Sequence, residues 1–330
     1  MREECARLQH KEATRDVAIY HLRVKYVQRS AGRSAVAAAA YRSGTRIEDQ
    51  RTGLTHDYTR KRDIEHEEVL LPEHMPAAMA DRGTLWNALE TGIKHPRGQP
   101  AFEVEVALPR ELDREQCVEL VRAFSQDMFV ERGVPVDFAI HRTTARDGGE
   151  HPHAHILVST RRFNPDGSLE KAARDMQDSP KLVAKVYALE EEGKIDEAVL
   201  LQKDLNLGLW RRQWEDYSNR FLDEAGSEAR IDHRTLEAQQ VAREPTPNIG
   251  FAFYEPLRAF TGHLAERVDH WKAVGFRNAM REQMDHIRER APEAAAEFIT
   301  HARAYGARLF PELAPEDPRP EPEREVVHER

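Results

Sequence analysis

The sequence predicts an α+β fold. Three observations carry that expectation. Strand and helix signals alternate between residues 17 and 162, the last two strands of that stretch are joined by the hairpin turn Arg146, Asp147, Gly148 and Gly149, and the residues beyond show helical periodicity with no strand signal. Residues 1–16 are dense in charge of both signs and read as a polar leader. Residues 17–27 read as the first strand, with Ile19, Val24 and Tyr26 among its β-formers. Residues 33–43 are Ala-rich, hence helical by propensity, and end at Gly44. A short strand over 68–71 stops at Pro72, and 84–93 brings Leu85, Trp86, Leu89 and Ile93 to helical spacing. Residues 101–108 alternate and stop at Pro109. Asp113 is placed to cap a helix through Val118, Val121, Phe124 and Met128 to Gly133. Strands over 134–141 and 153–160 complete the alternation.

Charged amphipathic helices follow over 181–204 and 209–224, and the Pro-containing segment 244–250 reads as a linker. Helical periodicity resumes over 255–307, where Leu257, Phe260, Leu264, Val268 and Trp271 form one apolar stripe. Residues 311–330 hold five prolines and seven acids against three arginines and read as a disordered tail. The expected organisation is a domain over 17–243, helical from about 163, a helical region over 244–310, and the tail.

Composition then bounds the function. The chain has 330 residues, 49 Lys plus Arg against 58 Asp plus Glu, and a formal charge of −9. A hydrophobic share of 40% can build a core. The longest apolar stretch, residues 35–41, is far short of the roughly 20 a membrane span needs, and residues 1–16 lack the apolar core of a signal peptide. Cys5 and Cys117 offer neither a disulfide framework nor a cysteine metal site. The expectation is a soluble cytoplasmic protein without membrane insertion. Net acidity opposes a polyanionic partner, yet residues 17–65 contain ten Lys and Arg against five acids. That local field includes Arg23, Lys25, Arg29, Arg33, Arg42 and Arg46, and it suits nucleic acid.

Alternation sorts the strand side chains by face. Phe102, Val104, Val106 and Leu108 take one face and Glu103 and Glu105 the other. Val134, Val136, Phe138 and Ile140 separate in the same way from Asp137 and His141, as do Ala154, Ile156 and Val158 from His153 and His155. A turn centred on Asp147 makes residue i face residue 294 − i, so His141 lies opposite His153. Side chains so opposed have Cβ atoms about 4.5–5.5 Å apart, close enough for two imidazoles to share an ion, with His155 two residues along. A lone histidine is ordinarily surface or core, but an H-x-H pair with a third histidine at the facing position predicts a metal site. His151 lies on this face too and is the alternative third ligand. The imidazoles suit Zn, Cu, Fe or Ni at least as well as Mg or Mn. Tyr41 ends the alanine run, and a helix of alanines leaves its terminal tyrosine accessible. Trp86, Phe163, Trp210 and Tyr217 are expected in the core.

Several of these segments together are specific. AIYHLRVKYVQRSAGRSAVAAAAYRSG at 18–44, FEVEVALPREL at 102–112, AIH at 139–141 and EHPHAHILVSTR at 150–161 resemble the MobA/MobL-family conjugative relaxases, which are HUH single-strand endonucleases. RIDHR at 230–234 resembles a segment that often follows. The resemblance implies an antiparallel sheet flanked by helices, with the HxH strand near its centre, to which the helical periodicity beyond residue 162 adds an α-helical C-terminal extension. It implies Tyr41 as nucleophile, His141, His153 and His155 as metal ligands, and Glu105, or alternatively Glu103, as the acid beside a divalent metal, Mg²⁺ or Mn²⁺. The expected activity is nicking of transfer-origin DNA through a 5′-phosphotyrosyl intermediate. Expected partners are single-stranded origin DNA, accessory relaxosome proteins and a coupling protein with its type IV secretion system. His151 departs from the family, standing where a non-ligand polar residue is common, and no G-x-x-x-x-G-K-S/T phosphate loop follows. A water-activating metal hydrolase and a non-catalytic DNA-binding module are the competing classes.

Overall fold

The computed structural model describes residues 20–144, 149–234, 239 and 270–281. Its first strand, β1 (Leu22–Val27), buries Leu22 and Val24 and leaves Arg23 and Lys25 partly exposed on the other face. Ser34 caps helix α1 (Ala35–Ser43) by accepting from the Ala37 N–H, and Gly44 ends it at φ 64°, a conformation glycine adopts at little cost. The small alanine side chains let α1 lie close on the sheet, with Ala35, Ala39 and Ala40 buried. Two short strands, β2 (Arg46–Asp49) and β3 (Leu54–Asp57), form a hairpin before β4 (Ile64–Leu70). Helix α2 (Arg82–Gly92), β5 (Ala101–Ala107) and α3 (Arg114–Ser125) follow. Asp113 and Gln116 form a reciprocal capping box at the start of α3, and one π-type turn, Gln126–Val130, extends it toward Gly133.

β6 (Val136–Thr144) and β7 (Glu150–Ser159) complete a five-stranded sheet in the order β1-β5-β7-β6-β4, every neighbour antiparallel. The H-x-H strand is thus central. One sheet face, carrying Leu22, Val24, Phe102, Val104, Val106, Phe138, Ile140 and Ile156, packs on α3 and on α6 (Asn206–Glu224) through Phe124, Trp210 and Trp214. On the other face α1 and α2 cover Val27, Ala101 and Leu157, with Trp86 in the centre. Trp86, Phe163, Trp210 and Tyr217 are all core residues, as expected.

The helix expected over 181–204 is two, α4 (Pro180–Glu191) and α5 (Ile195–Gln202), because Gly193 at φ 74° turns the chain between them. Nor is the stretch beyond 162 wholly helical. β8 (Arg161–Phe163) pairs with β9 (Leu169–Ala172) across a turn held by Asp166, Gly167 and Ser168. Strands this short leave too few residues for alternation to register. The RIDHR segment is tied to α6, where Asn219 donates to the Ile231 carbonyl and accepts from its N–H.

The chain divides into two compact units, Met1–His233 and Arg234–Arg330. In the second, residues 270–281 are helical. The polar leader over 1–16, the turn at Arg146, Asp147 and Gly148, the linker over 244–250, the rest of the helical stretch over 255–307 and the tail over 311–330 lie outside the described residues. No described helix is long and apolar enough to cross a membrane.

Candidate active site

Cross-strand rows build the site. Ala107, His153, His141 and Ile64 form one row, and Arg23, Glu105, His155, Ala139 and Glu67 form another two residues along the strands. Every pair of β6 with β7, from Val136 with Val158 to Thr144 with Glu150, obeys the 294 − i register. His141 therefore faces His153, with ring centroids 5.5 Å apart. His155 lies 4.7 Å from His141 and 5.1 Å from His153. One ring nitrogen from each of the three lies within 4.8 Å of the others, a group able to hold a metal ion. His151 pairs with Thr143 near the hairpin end, stacks on His153 at 5.1 Å, and is not in that group.

Hydrogen bonds set the tautomers. His141 Nε2 lies 2.7 Å from the Arg42 carbonyl and His153 Nδ1 3.0 Å from the His151 carbonyl. A carbonyl only accepts, so both nitrogens donate. His155 Nδ1 lies 2.5 Å from Glu103 Oε1 and donates to it. The lone pairs left are on His141 Nδ1, His153 Nε2 and His155 Nε2, the fixed presentation that metal-binding imidazoles show. Burial, reinforced by neighbouring imidazoles, pushes His141 and His153 down to about 4, so both are neutral at ordinary pH. The donor set fits a divalent cation.

Glu103 is buried at the centre of a second set of bonds. Arg42 Nε donates to its Oε1 at 2.7 Å and Nη2 to its Oε2 at 2.5 Å, a bidentate pair. Burial would raise its pKa, but the His155 hydrogen bond and the Arg42 guanidinium hold it well below the usual carboxylate range. Glu105 is held low as well. Burial would raise it, and His21 and Lys25 more than offset that. Glu105 Oε2 lies 3.8 Å from His155 Nδ1, so both sequence-predicted carboxylates flank one imidazole.

Tyr41 is 48% exposed at the last turn of α1, one residue before Arg42, whose carbonyl accepts from His141 and whose guanidinium donates to Glu103, the partner of His155. The other predicted basic residues divide. Arg33 and Arg46 are largely exposed, Arg23 rests on the Tyr187 ring at 5.3 Å, and Lys25 pairs with Glu105. Arg29 differs from the other basic residues predicted to meet phosphate. Its side chain is 8% exposed and bonds Glu90, which also accepts from the Ala35 N–H at the start of α1. This geometry commits its guanidinium to Glu90.

A model of the MobA/MobL family matches residues 33–256. The chain belongs to the MobA/MobL family. It is 34% identical over 83% of its length to mobilization protein MobL of Acidithiobacillus ferridurans, covering 72% of that protein. It is 34% identical over 91% of its length to a probable mobilization protein MobA of Bifidobacterium longum (strain NCC 2705) and spans about half of it, 55%. A solved structure described as the molecular basis of vancomycin resistance transfer in Staphylococcus aureus superposes with a TM-score of 0.53 at 26% identity, covering 66% of this chain and 100% of that one. In this MobA/MobL chain, the sequence gives no sign of a site role for Tyr58 and Lys61, which meet the Tyr41 ring, or for Asp63, whose carboxylate lies 3.7 Å from His141. Their loop has no periodicity, and only its Lys and Asp could have marked it.

Proposed function

We propose that the chain is a plasmid-mobilisation relaxase that nicks one strand of transfer-origin DNA and rejoins it after transfer. One observation carries this reading. The last turn of α1 is bonded to the histidine cluster through Arg42, whose carbonyl accepts from His141 and whose guanidinium holds Glu103 against His155. That linkage supports a nucleophile at Tyr41 beside a metal at His141, His153 and His155. The Tyr41 oxygen attacks the scissile phosphorus and forms the 5′-phosphotyrosyl bond as the bond to the 3′ oxygen breaks. The phenol loses one proton, and the departing 3′ oxygen gains one. His141, His153 and His155 would hold a divalent cation, Mg²⁺ or Mn²⁺, which would supply Lewis-acid polarisation of a phosphate oxygen. Glu103 orients His155, and Glu105 adds negative charge beside it. Because the covalent link conserves the phosphodiester, reversal reseals the strand.

Arg23, Arg33 and Arg46 are assigned to the DNA backbone, with Lys25 and Arg42 adding positive charge around paired carboxylates. We assign nicking to residues 17–243, helical extension to 244–310 and a solvated tail to 311–330. The assigned setting is the donor-cell cytoplasm, with accessory relaxosome proteins and a coupling protein of a type IV secretion system as partners. The test is incubation with single-stranded origin oligonucleotide and Mn²⁺, followed by denaturing electrophoresis. Wild type forms a covalent adduct and Tyr41→Phe forms none while keeping its fold. Cleavage without any adduct supports the hydrolase reading, and binding without cleavage supports the DNA-binding module. An adduct retained by Tyr41→Phe overturns the assignment of the nucleophile.

A further inference from the structure

The loop between β3 and β4 is fastened at both ends to the parts of the site. The Tyr58 N–H donates to the Thr45 carbonyl just after α1 at 3.2 Å, and the Arg142 N–H, next to His141, donates to the Asp63 carbonyl at 2.8 Å. Between those anchors the loop meets Tyr41 on two sides. Tyr58 stands edge-on to its ring, with centroids 5.2 Å apart and planes at 88°. Lys61 Nζ lies 4.0 Å from the ring centroid. The lysine side chain is only 16% exposed, unusual for a residue type that is rarely buried without a partner. Its ion pair with Asp63 is long, 3.6 Å, and the same Asp63 oxygen lies 3.7 Å from His141 Nδ1.

We propose that Lys61 is a positioning residue for Tyr41, its ammonium clamping the ring face and favouring the phenolate that the attacking oxygen becomes. This rests on the reading of Tyr41 as nucleophile. A cation over an aromatic face is attracted to the ring quadrupole, and more so when desolvated. Once the ring carries negative charge, the attraction becomes that of opposite charges at short range. The charged and titratable groups facing this pair are Asp63 and Tyr58 from the same loop, Arg42 from α1 and His141 from β6. Asp63 neutralises part of the lysine's charge, and Arg42 adds to the positive field. Burial, with Arg42 adding to it, lowers the Lys61 pKa against the pull of Asp63, in keeping with an ammonium drawn from water onto a ring. Tethering matters as much as charge. An exposed tyrosine at a helix end has several rotamers, and a cation on its face with a second ring at its edge selects among them.

The test is single-turnover adduct formation by the full chain on single-stranded origin oligonucleotide with Mn²⁺, across a pH series, alongside anisotropy measurements of affinity. Lys61→Met keeps the stem and removes the charge, and Lys61→Arg keeps the charge. Lys61→Met should slow adduct formation about tenfold at neutral pH, the rate equivalent of losing one desolvated cation–ring contact. It should recover as pH rises and leave affinity near wild type. Lys61→Arg should restore most of the rate. Equal rates in Lys61→Met and wild type at every pH overturn the proposal. So does a loss that tracks weakened affinity, that is uniform in pH, or that arginine fails to rescue. Tyr41→Phe in the same series separates the two ideas. An adduct retained there overturns the nucleophile and this proposal together, whereas an adduct lost there with Lys61→Met unaffected overturns the role of Lys61 alone.

Discussion

Asp137 and Glu103 flank Leu157 in one cross-strand row, on the same sheet face, and both are buried acids held by an arginine. Their partners make them different. Asp137 accepts from Arg82 Nε at 2.7 Å and Nη2 at 2.9 Å and from Trp86 Nε1 at 2.8 Å. Trp86 ends in the core, and among the described residues Arg82 goes on only to Glu67. Glu103 accepts from Arg42 and His155, and each of those leads to His141, the first through its carbonyl and the second through ring contact. Burial wins at Asp137, whose pKa is raised despite Arg82, and the bonded cation and imidazole win at Glu103. A buried charge is therefore no marker of function by itself. What its partners touch next decides.

The comparison breaks most directly by removing each acid in turn. Asp137→Ala leaves Arg82 buried without its main partner and should cost about 3–5 kcal/mol of stability, with Mn²⁺ affinity of the folded protein unchanged. Glu103→Gln keeps a hydrogen-bonding side chain and should cost much less stability. It frees the His155 ring, however, and should weaken Mn²⁺ about 10–100-fold. Urea unfolding and calorimetric titration of both variants measure the two effects. Equal losses of metal affinity would erase the distinction drawn between the two acids.

The same pair gives a smaller effect with pH. In the metal-free protein His141 and His153 titrate at about 4, whereas an unfolded histidine titrates near 6.5. Between those values the unfolded chain binds more protons, so stability falls as pH falls from about 6.5 toward 4. Glu103, held low, acts in the same direction, its contribution present above the ordinary 4.5 and lost as pH drops below it. Asp137, raised, acts oppositely, since the folded state accepts its proton first. Urea midpoints should therefore drop on acidification in wild type. The drop between about 6.5 and 4.5 should flatten in a His141→Gln, His153→Gln double variant. A midpoint in wild type independent of pH would show that the imidazoles are not desolvated as the geometry implies.

Much of this was legible in the sequence where local rules suffice. The β6–β7 register followed from period-two alternation and one turn, and the exposure of Tyr41 followed from the alanines before it. The β2–β3 hairpin was not legible, because its strands are four residues each and its one aliphatic tip residue, Leu54, faces solvent. Long-range pairing was also hidden. Arg29 and Arg42 each meet a glutamate 61 positions away, so nothing nearby tells which arginine turns inward and which joins the site. Lys61 and Asp63 were invisible for the same reason, since their loop gains meaning only from the helix end and strand it touches.

We propose that His141, His153 and His155, and not His151, hold the metal beside the end of α1. Calorimetric titration of Mn²⁺ into wild type and the four single histidine-to-alanine variants tests it most directly. Wild type should bind at one site, with severe weakening in His141→Ala, His153→Ala and His155→Ala and near-wild-type binding in His151→Ala. Binding that survives in His141→Ala and disappears in His151→Ala would contradict it.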